Sequence, residues 1–234
     1  GAYPVGGLIT DGNALYGLTA QGGAHFVGTI FKINKDGTGH TKLHEFNESS
    51  DHDGSYPLGN LAFDGSFLYG ITKDGGINAF GTIFKIKTDG SAFEKLLDFD
   101  GSNGSEPLGS LIYDGTALWG TTHRGGSNAT GVVYRITTDG SSYSQMDFNG
   151  TNGSFPKGAL TIDGAFLYGS TSFGGASNLG TTFRVEIADP TINPLSEIGG
   201  GMSGPQPEGT LTIIGNQLFG TTSSGGFSNL GNIY

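Results

Sequence analysis

Cysteine is absent from the chain, so there is no disulfide framework, no thiolate metal site and no cysteine nucleophile. Charge is scarce: 11 Lys and Arg stand against 21 Asp and Glu in 234 residues, leaving a net charge of −10 and a pI near 4.7. Such a surface repels phosphate, which disfavours nucleic acid and anionic membranes as partners. No apolar run approaches the ~20 residues of a membrane span, so no membrane insertion by this chain is expected. A charged-then-apolar leader is also missing at the N-terminus, and the expectation is that any export signal has been removed. Sustained apolar periodicity at 3.6 residues is lacking throughout, which predicts essentially no helix. What is present in excess is glycine, 45 residues or about 19% of the chain against a usual ~7%. With 11% aromatics, this composition predicts short strands joined by many tight turns.

The glycines are periodic. Pro-x-Gly begins at Pro4, Pro57, Pro107, Pro156 and Pro207, at spacings of 53, 50, 49 and 51 residues. Each copy continues through Leu, Asp-Gly, Leu-aromatic-Gly-x-Thr, Gly-Gly, then Gly and an apolar run. Within the second copy, Leu61–Phe63, Phe67–Thr72, Thr82–Ile86 and Phe93–Phe99 carry strand signals. They are separated by the turns Asp64-Gly65 and Thr88-Asp89-Gly90-Ser91 and by a longer polar loop opening at Gly75-Gly76. Four antiparallel strands every ~50 residues is the size of a propeller blade, and a blade buries its faces only against neighbours. The expected fold is an all-β, closed five-bladed β-propeller, one domain over residues 1–234. Its four-stranded blades fall near 1–53, 54–103, 104–152, 153–203 and 204–234. The fifth copy reaches only its third strand at Tyr234 and lacks the outer strand, which raises the expectation that the native chain continues. Small residues at Pro-x-Gly and in Leu-Tyr-Gly (Gly17, Gly70, Gly120, Gly169, Gly220) fit a crowded axis. Leu15, Phe31, Leu68, Phe84, Leu118, Tyr134, Leu167, Phe183 and Leu218 are the expected core between blades.

The stretch Leu68-Tyr69-Gly70 through Thr82-Ile83-Phe84-Lys85-Ile86, followed by Leu96–Phe99 and a Pro-x-Gly restart, resembles the Gloeo-Verruco (GloVer) tandem repeat of exported bacterial proteins. The resemblance runs the length of the chain and weakens over residues 185–206. It implies a secreted or cell-surface location and supplies no established catalytic residues.

Chemistry-bearing residues are few. Asp11, Asp64, Asp114 and Asp163 each precede Gly and read as turn residues. Lys32, Lys85, Arg135 and Arg184 recur in the third strand as solvated or paired charges. Trp119 stands where other copies have Tyr and reads as packing. No metal-ligand histidine spacing, nucleophile elbow or phosphate loop occurs, and none of the many carboxylates is singled out as a glycosidase pair. Asp98–Glu106 and Asp51–Ser55 alternate oxygen donors, which raises calcium. The complete twelve-residue loop is missing, so no cofactor is expected and a plain polar loop is preferred. His44 reads as a plain exposed outer-strand residue. In a meander blade, the second-to-third-strand loops and the blade-to-blade loops share one face. Here these are the long, varied ones, and binding residues concentrate on variable loops. Candidate ligand-binding residues are therefore His25, Phe26, Asn78, His123, Arg124, Asn128, Phe173 and Asn178. The resulting expectation is a non-catalytic binding or display module for a glycan or an extracellular protein. Alternatives are a structural scaffold or spacer in an extracellular assembly and, less favoured, an extracellular polysaccharide hydrolase or lyase.

Overall fold

The computed structural model describes residues 1–48, 52–198, 206–225 and 230–234. Among them there is no helix, and the strands form five antiparallel sheets in chain order. The first holds β1 (Ala2–Thr10), β2 (Ala14–Gln21), β3 (Thr29–Asn34) and β4 (Thr41–Glu45); the second holds β5 (Ser55–Phe63), β6 (Phe67–Asp74), β7 (Thr82–Lys87) and β8 (Glu94–Asp98). The third holds β9 (Ile112–Tyr113), β10 (Ala117–Thr122), β11 (Val132–Thr137) and β12 (Tyr143–Asp147). In the fourth, β13 (Ser154–Pro156) and β14 (Thr161–Asp163) both pair with β15 (Phe166–Phe173), followed by β16 (Thr181–Glu186) and β17 (Ile192–Glu197). The last contains β18 (Thr212–Ile214) and β19 (Gln217–Phe219), extended by a bridge between Thr221 and Ile233. Each sheet is a simple meander, as the short turns dictate.

The Asp-Gly turns explain themselves chemically. Asp64 Oδ1 accepts the Ser66 and Phe67 amides, both at 2.7 Å, and its Oδ2 accepts the Tyr69 hydroxyl at 2.7 Å. Asp11 does the same with Asn13, Ala14 and Tyr16. In the third copy the Trp119 indole N–H replaces the phenol, donating to Asp114 Oδ2 at 2.7 Å. Trp119 is fully buried. It packs in the core and keeps the latch because indole, like phenol, carries a polar donor at its far end.

Each sheet has two apolar faces. The forward face of the second sheet (Tyr69, Ile71, Ile83, Phe99) packs on the rear face of the third (Leu111, Leu118, Tyr134, Ile136). The first and second sheets, and the third and fourth, meet the same way. Leu68, Phe84, Leu118, Tyr134, Leu167 and Phe183 are buried in these seams as expected. Leu15, Phe31 and Leu218 are only partly buried, which corrects the expected core at the two ends. Leu15 and Phe31 lie on the rear face of the first sheet, on which no other sheet packs among the described residues. Leu218 lies in the two-stranded last sheet, which supplies too little surface to seal it. Among the described residues, packing joins each sheet to the next, and no seam of that kind joins the first to the last.

The Leu-Tyr-Gly glycines owe their place to a cross-strand ring and not to the axis. A β-carbon at Gly70 would strike Phe84 of β7, its register partner, and one at Gly169 would strike Phe183. The third-strand aromatic lies flat over the glycine, an aromatic cover for a bare backbone. Axial crowding belongs to Pro-x-Gly: a β-carbon at Gly109 would meet Gly158, and one at Gly158 would meet Gly209.

Candidate functional site

The residue before each repeat proline has a left-handed backbone: Tyr3 (φ 55), Tyr56 (φ 53), Glu106 (φ 52), Phe155 (φ 57) and Gln206 (φ 68). That conformation is unfavourable for a non-glycine residue, and more so before proline. Hydrogen bonds from the previous blade hold it. Tyr56 N donates to Val27 O at 2.9 Å, Glu106 N to Phe80 O at 3.1 Å and Phe155 N to Thr130 O at 2.8 Å. The following proline ring seats on the glycine that opens the previous blade's third strand, as Pro57 does on Gly28 and Pro107 on Gly81. These contacts tie the blade-to-blade connections to the second-to-third-strand loops, so both lie on one face.

Tyr56, Glu106 and Phe155, of varied chemistry, are thereby fixed at the mouth of the inner strands. Beside them stand the residues that end each second strand. In the third blade these are His123 and Arg124, whose backbone bonds to Glu106 and Ser105. A cluster forms at the junction of the third and fourth blades. Arg124 Nε lies 3.5 Å from Glu106 Oε1, and its guanidinium lies 5.6 Å from the Phe155 ring centre. His123 tilts against Phe155 with ring centres 5.5 Å apart, and Phe173 meets Phe155 edge-on at 6.0 Å. His123 Nδ1 is 3.3 Å from Pro156 O. Burial pushes the His123 pKa down, partly countered by Pro156 O and the Glu106 charge, and because a carbonyl can only accept, Nδ1–H is the donor to Pro156 O. Arg124 is exposed, whereas His123, Phe155 and Phe173 are half-buried. Behind the mouth, a cavity of about 490 Å³ runs between the inner strands, lined by residues such as Ile9, Asn60, Leu111 and Leu160.

The structure thus brings together His123, Arg124 and Phe173, and adds Phe155 and Glu106, which the sequence reading missed. A signal existed: the position before proline reads Tyr, Tyr, Glu, Phe, Gln, varied beside a proline and a glycine that recur in every copy. The other expected residues sit on the loops without joining this cluster. Asn78 Nδ2 donates to Phe99 O at 3.2 Å and Asn128 Nδ2 to Phe148 O at 2.9 Å, bracing each loop to its outer strand. Asn178 Oδ1 accepts the Gly174 amide at 2.9 Å, closing its loop on itself. His25 is exposed, and Phe26 is 75% exposed on a left-handed residue (φ 62). The carboxylates considered for calcium have local duties: Asp100 Oδ1 caps Ser102 and Asn103, and Asp98 binds the Ile77 amide and Lys95. Asp53, 4% exposed, holds His44 Nε2 at 2.7 Å and the Asn47 amide at 2.7 Å; Asp51 lies outside the described residues. His44 also stacks on Phe93 at 3.7 Å between ring centres, so it is largely buried in a blade seam, which corrects the expected exposed residue. Third-strand cations sit over rings, Arg135 over Trp119 and Arg184 over Phe166, or pair, as Lys85 does with Glu94.

The Gloeobacter/Verrucomicrobia repeat profile matches residues 1–164 and again 103–234. The chain belongs to that repeat family. No curated protein matches it. Among solved structures it is similar to a chain of a nidogen/laminin complex, at 18% identity and TM-score 0.61, covering 94% of this chain and 72% of that one. It is also similar to the extracellular domain of a putative one-component system from B. thetaiotaomicron (13%, TM-score 0.64, 100% and 28% covered). A third is an oligogalacturonate lyase from Vibrio parahaemolyticus (13%, TM-score 0.60, 98% and 64% covered). At these identities the likeness is one of fold, the β-propeller.

Proposed function

We propose that this Gloeobacter/Verrucomicrobia repeat chain is a non-catalytic binding module, exported and displayed outside the cell, whose five sequence copies supply five blades of a propeller. Its partner is a glycan or an extracellular protein engaged at the mouth of the inner strands. The observation that carries this reading is the Phe155, Phe173, His123, Arg124 and Glu106 cluster, built where variable pre-proline residues meet the variable ends of the second strands. Half-buried aromatic faces stack on sugar rings or apolar side chains, while a guanidinium beside a carboxylate offers donors and acceptors to hydroxyls. The nidogen neighbour was solved in a complex with laminin, which supports a protein partner as one source. A non-catalytic role is supported by where the reactive groups lie: the His44–Asp53 contact is under Phe93, and the Asp11, Asp64 and Asp114 carboxylates are occupied by turn amides.

The test is glycan-array and extracellular-protein capture with wild type, Phe155→Ala and Arg124→Ala. Each variant is expected to weaken the captured partner by roughly tenfold or more, about 1.4 kcal/mol, with an unchanged melting midpoint. Undiminished capture by both, together with loss on replacing the Asp89-Gly90 turn, would move the site to the opposite face.

A further inference from the structure

The rear face of the first sheet is chemically the same as the rear faces that the following blades bury. Leu8 occupies the position of Leu61, Leu111, Leu160 and Leu211, which are 3%, 5%, 4% and 2% exposed, yet Leu8 is 53% exposed. Leu15 and Phe31 lie beside it, half-buried, where Leu68 and Phe84 are sealed. Tyr3 adopts the left-handed conformation that later blades use to meet a preceding loop carbonyl, and Pro4 matches the prolines that seat on a preceding glycine. Polar, apolar and backbone features of one docking seam are therefore all present on this face.

We propose that this face is a socket for one more complete blade of the same repeat. The occupant's required chemistry is read from the seams already filled. It presents an apolar second and third strand, as Tyr69, Ile71 and Ile83 do, a Phe ending the fourth strand, as Phe46, Phe99 and Phe148 do, and a glycine to receive Pro4. A second copy of the chain fits poorly. The forward faces of its first three sheets are covered by their successors, the fourth is partly occupied by the last sheet, and that last sheet, among the described residues, has no fourth strand to supply that Phe.

The chain offers its own probe. Gly1-Ala2-Tyr3-Pro4 corresponds to Gly104-Ser105-Glu106-Pro107, so a copy of residues 54–103 joined directly before Gly1 keeps the repeat in register. Leu8→Cys introduces a lone thiol into a cysteine-free chain. In the unextended protein this thiol reacts readily with a maleimide under native conditions; in the extended protein the reaction is lost, and the added copy shows slow amide exchange. Leu8→Asp in the extended protein is expected to abolish that protection while residues 55–98 keep theirs. Equal thiol reactivity in the two proteins, or an added copy that exchanges freely beside an intact remainder, overturns the proposal. So does an added copy whose protection survives Leu8→Asp. Sedimentation of the unextended protein is expected to give a monomer; concentration-dependent association that shields the Leu8→Cys thiol assigns the socket to a second copy and overturns the proposed occupant.

Discussion

Two phenylalanines at one repeat position separate the contribution of a blade seam from that of the sheet itself. Phe84 is fully buried, with Phe46 at 5.3 Å and Phe93 at 5.7 Å between ring centres, and its ring covers Gly70. Phe31 covers Gly17 in the same way but faces no preceding blade; His40 stacks on it at 5.5 Å. Phe84→Ala is expected to cost about 3–5 kcal/mol, the range for a buried aromatic truncated in a core that collapses only partly. In a chain of this size that lowers the melting midpoint by roughly 6–20 °C, at ~2–4 °C per kcal/mol. Phe31→Ala removes contacts that are already half in water and should cost about 1 kcal/mol. A cycle with the glycine sharpens the test. Gly70→Ala in the wild type drives a methyl into the Phe84 ring and should destabilise by ~1–3 kcal/mol. In the Phe84→Ala background the same methyl enters vacated space, so the two substitutions together should cost less than their sum. Chemical denaturation of the four proteins measures this. Equal losses for Phe31→Ala and Phe84→Ala would mean that the first sheet's rear face is covered, and additive costs at Gly70 and Phe84 would mean that the strand register is wrong.

Three further outcomes are expected. Tyr134 stands at the Phe84 position with its hydroxyl buried and without a hydrogen-bond partner, so Tyr134→Phe should raise stability by ~1 kcal/mol, and a lower midpoint would reveal a role for the hydroxyl. His44→Leu alone leaves the buried Asp53 carboxylate short of a donor and should cost ~1–3 kcal/mol. Adding Asp53→Asn recreates the Leu97 and Asn103 pairing of the next blade and should restore most of that loss, whereas a double variant as unstable as the single one refutes the compensation. The Ala14 amide and then the Tyr16 hydroxyl lower the Asp11 pKa to about 2. The folded value lies below the unfolded ~3.9, so this stabilisation is present above pH ~4 and is lost as the pH falls towards 2. Midpoints recorded from pH 5 to 2.5 should fall less steeply for Asp11→Asn than for wild type.

How much of this was legible in the sequence follows from the range of the interactions. The Asp-Gly turns and strand order were readable because each device closes within a few residues, as Asp64 does with Tyr69. The exposure of Leu15 and Phe31 was not, because a repeat looks identical whether or not a neighbour covers it. The Leu-Tyr-Gly glycines were assigned to the axis, since the ring that needs the space arrives from the next strand. At the mouth, His123 and Arg124 stood out as departures from the repeat. Phe155 did not, because its neighbours come from the preceding blade and the residue before proline has no fixed identity.

The left-handed residue before each proline makes the architecture directional. At Tyr56, Glu106 and Phe155 its backbone strain is offset by the preceding blade's loop carbonyl, and the adjoining proline seats on that same predecessor. Each of these three junctions is thus a ratchet with one handedness of dependence: a blade relies on the one before it for its first strand. Pulled from its ends, such a molecule should shed blades one at a time. The detached inner strands would relax from left-handed to extended backbone as they leave, giving each step a recoverable, spring-like length change.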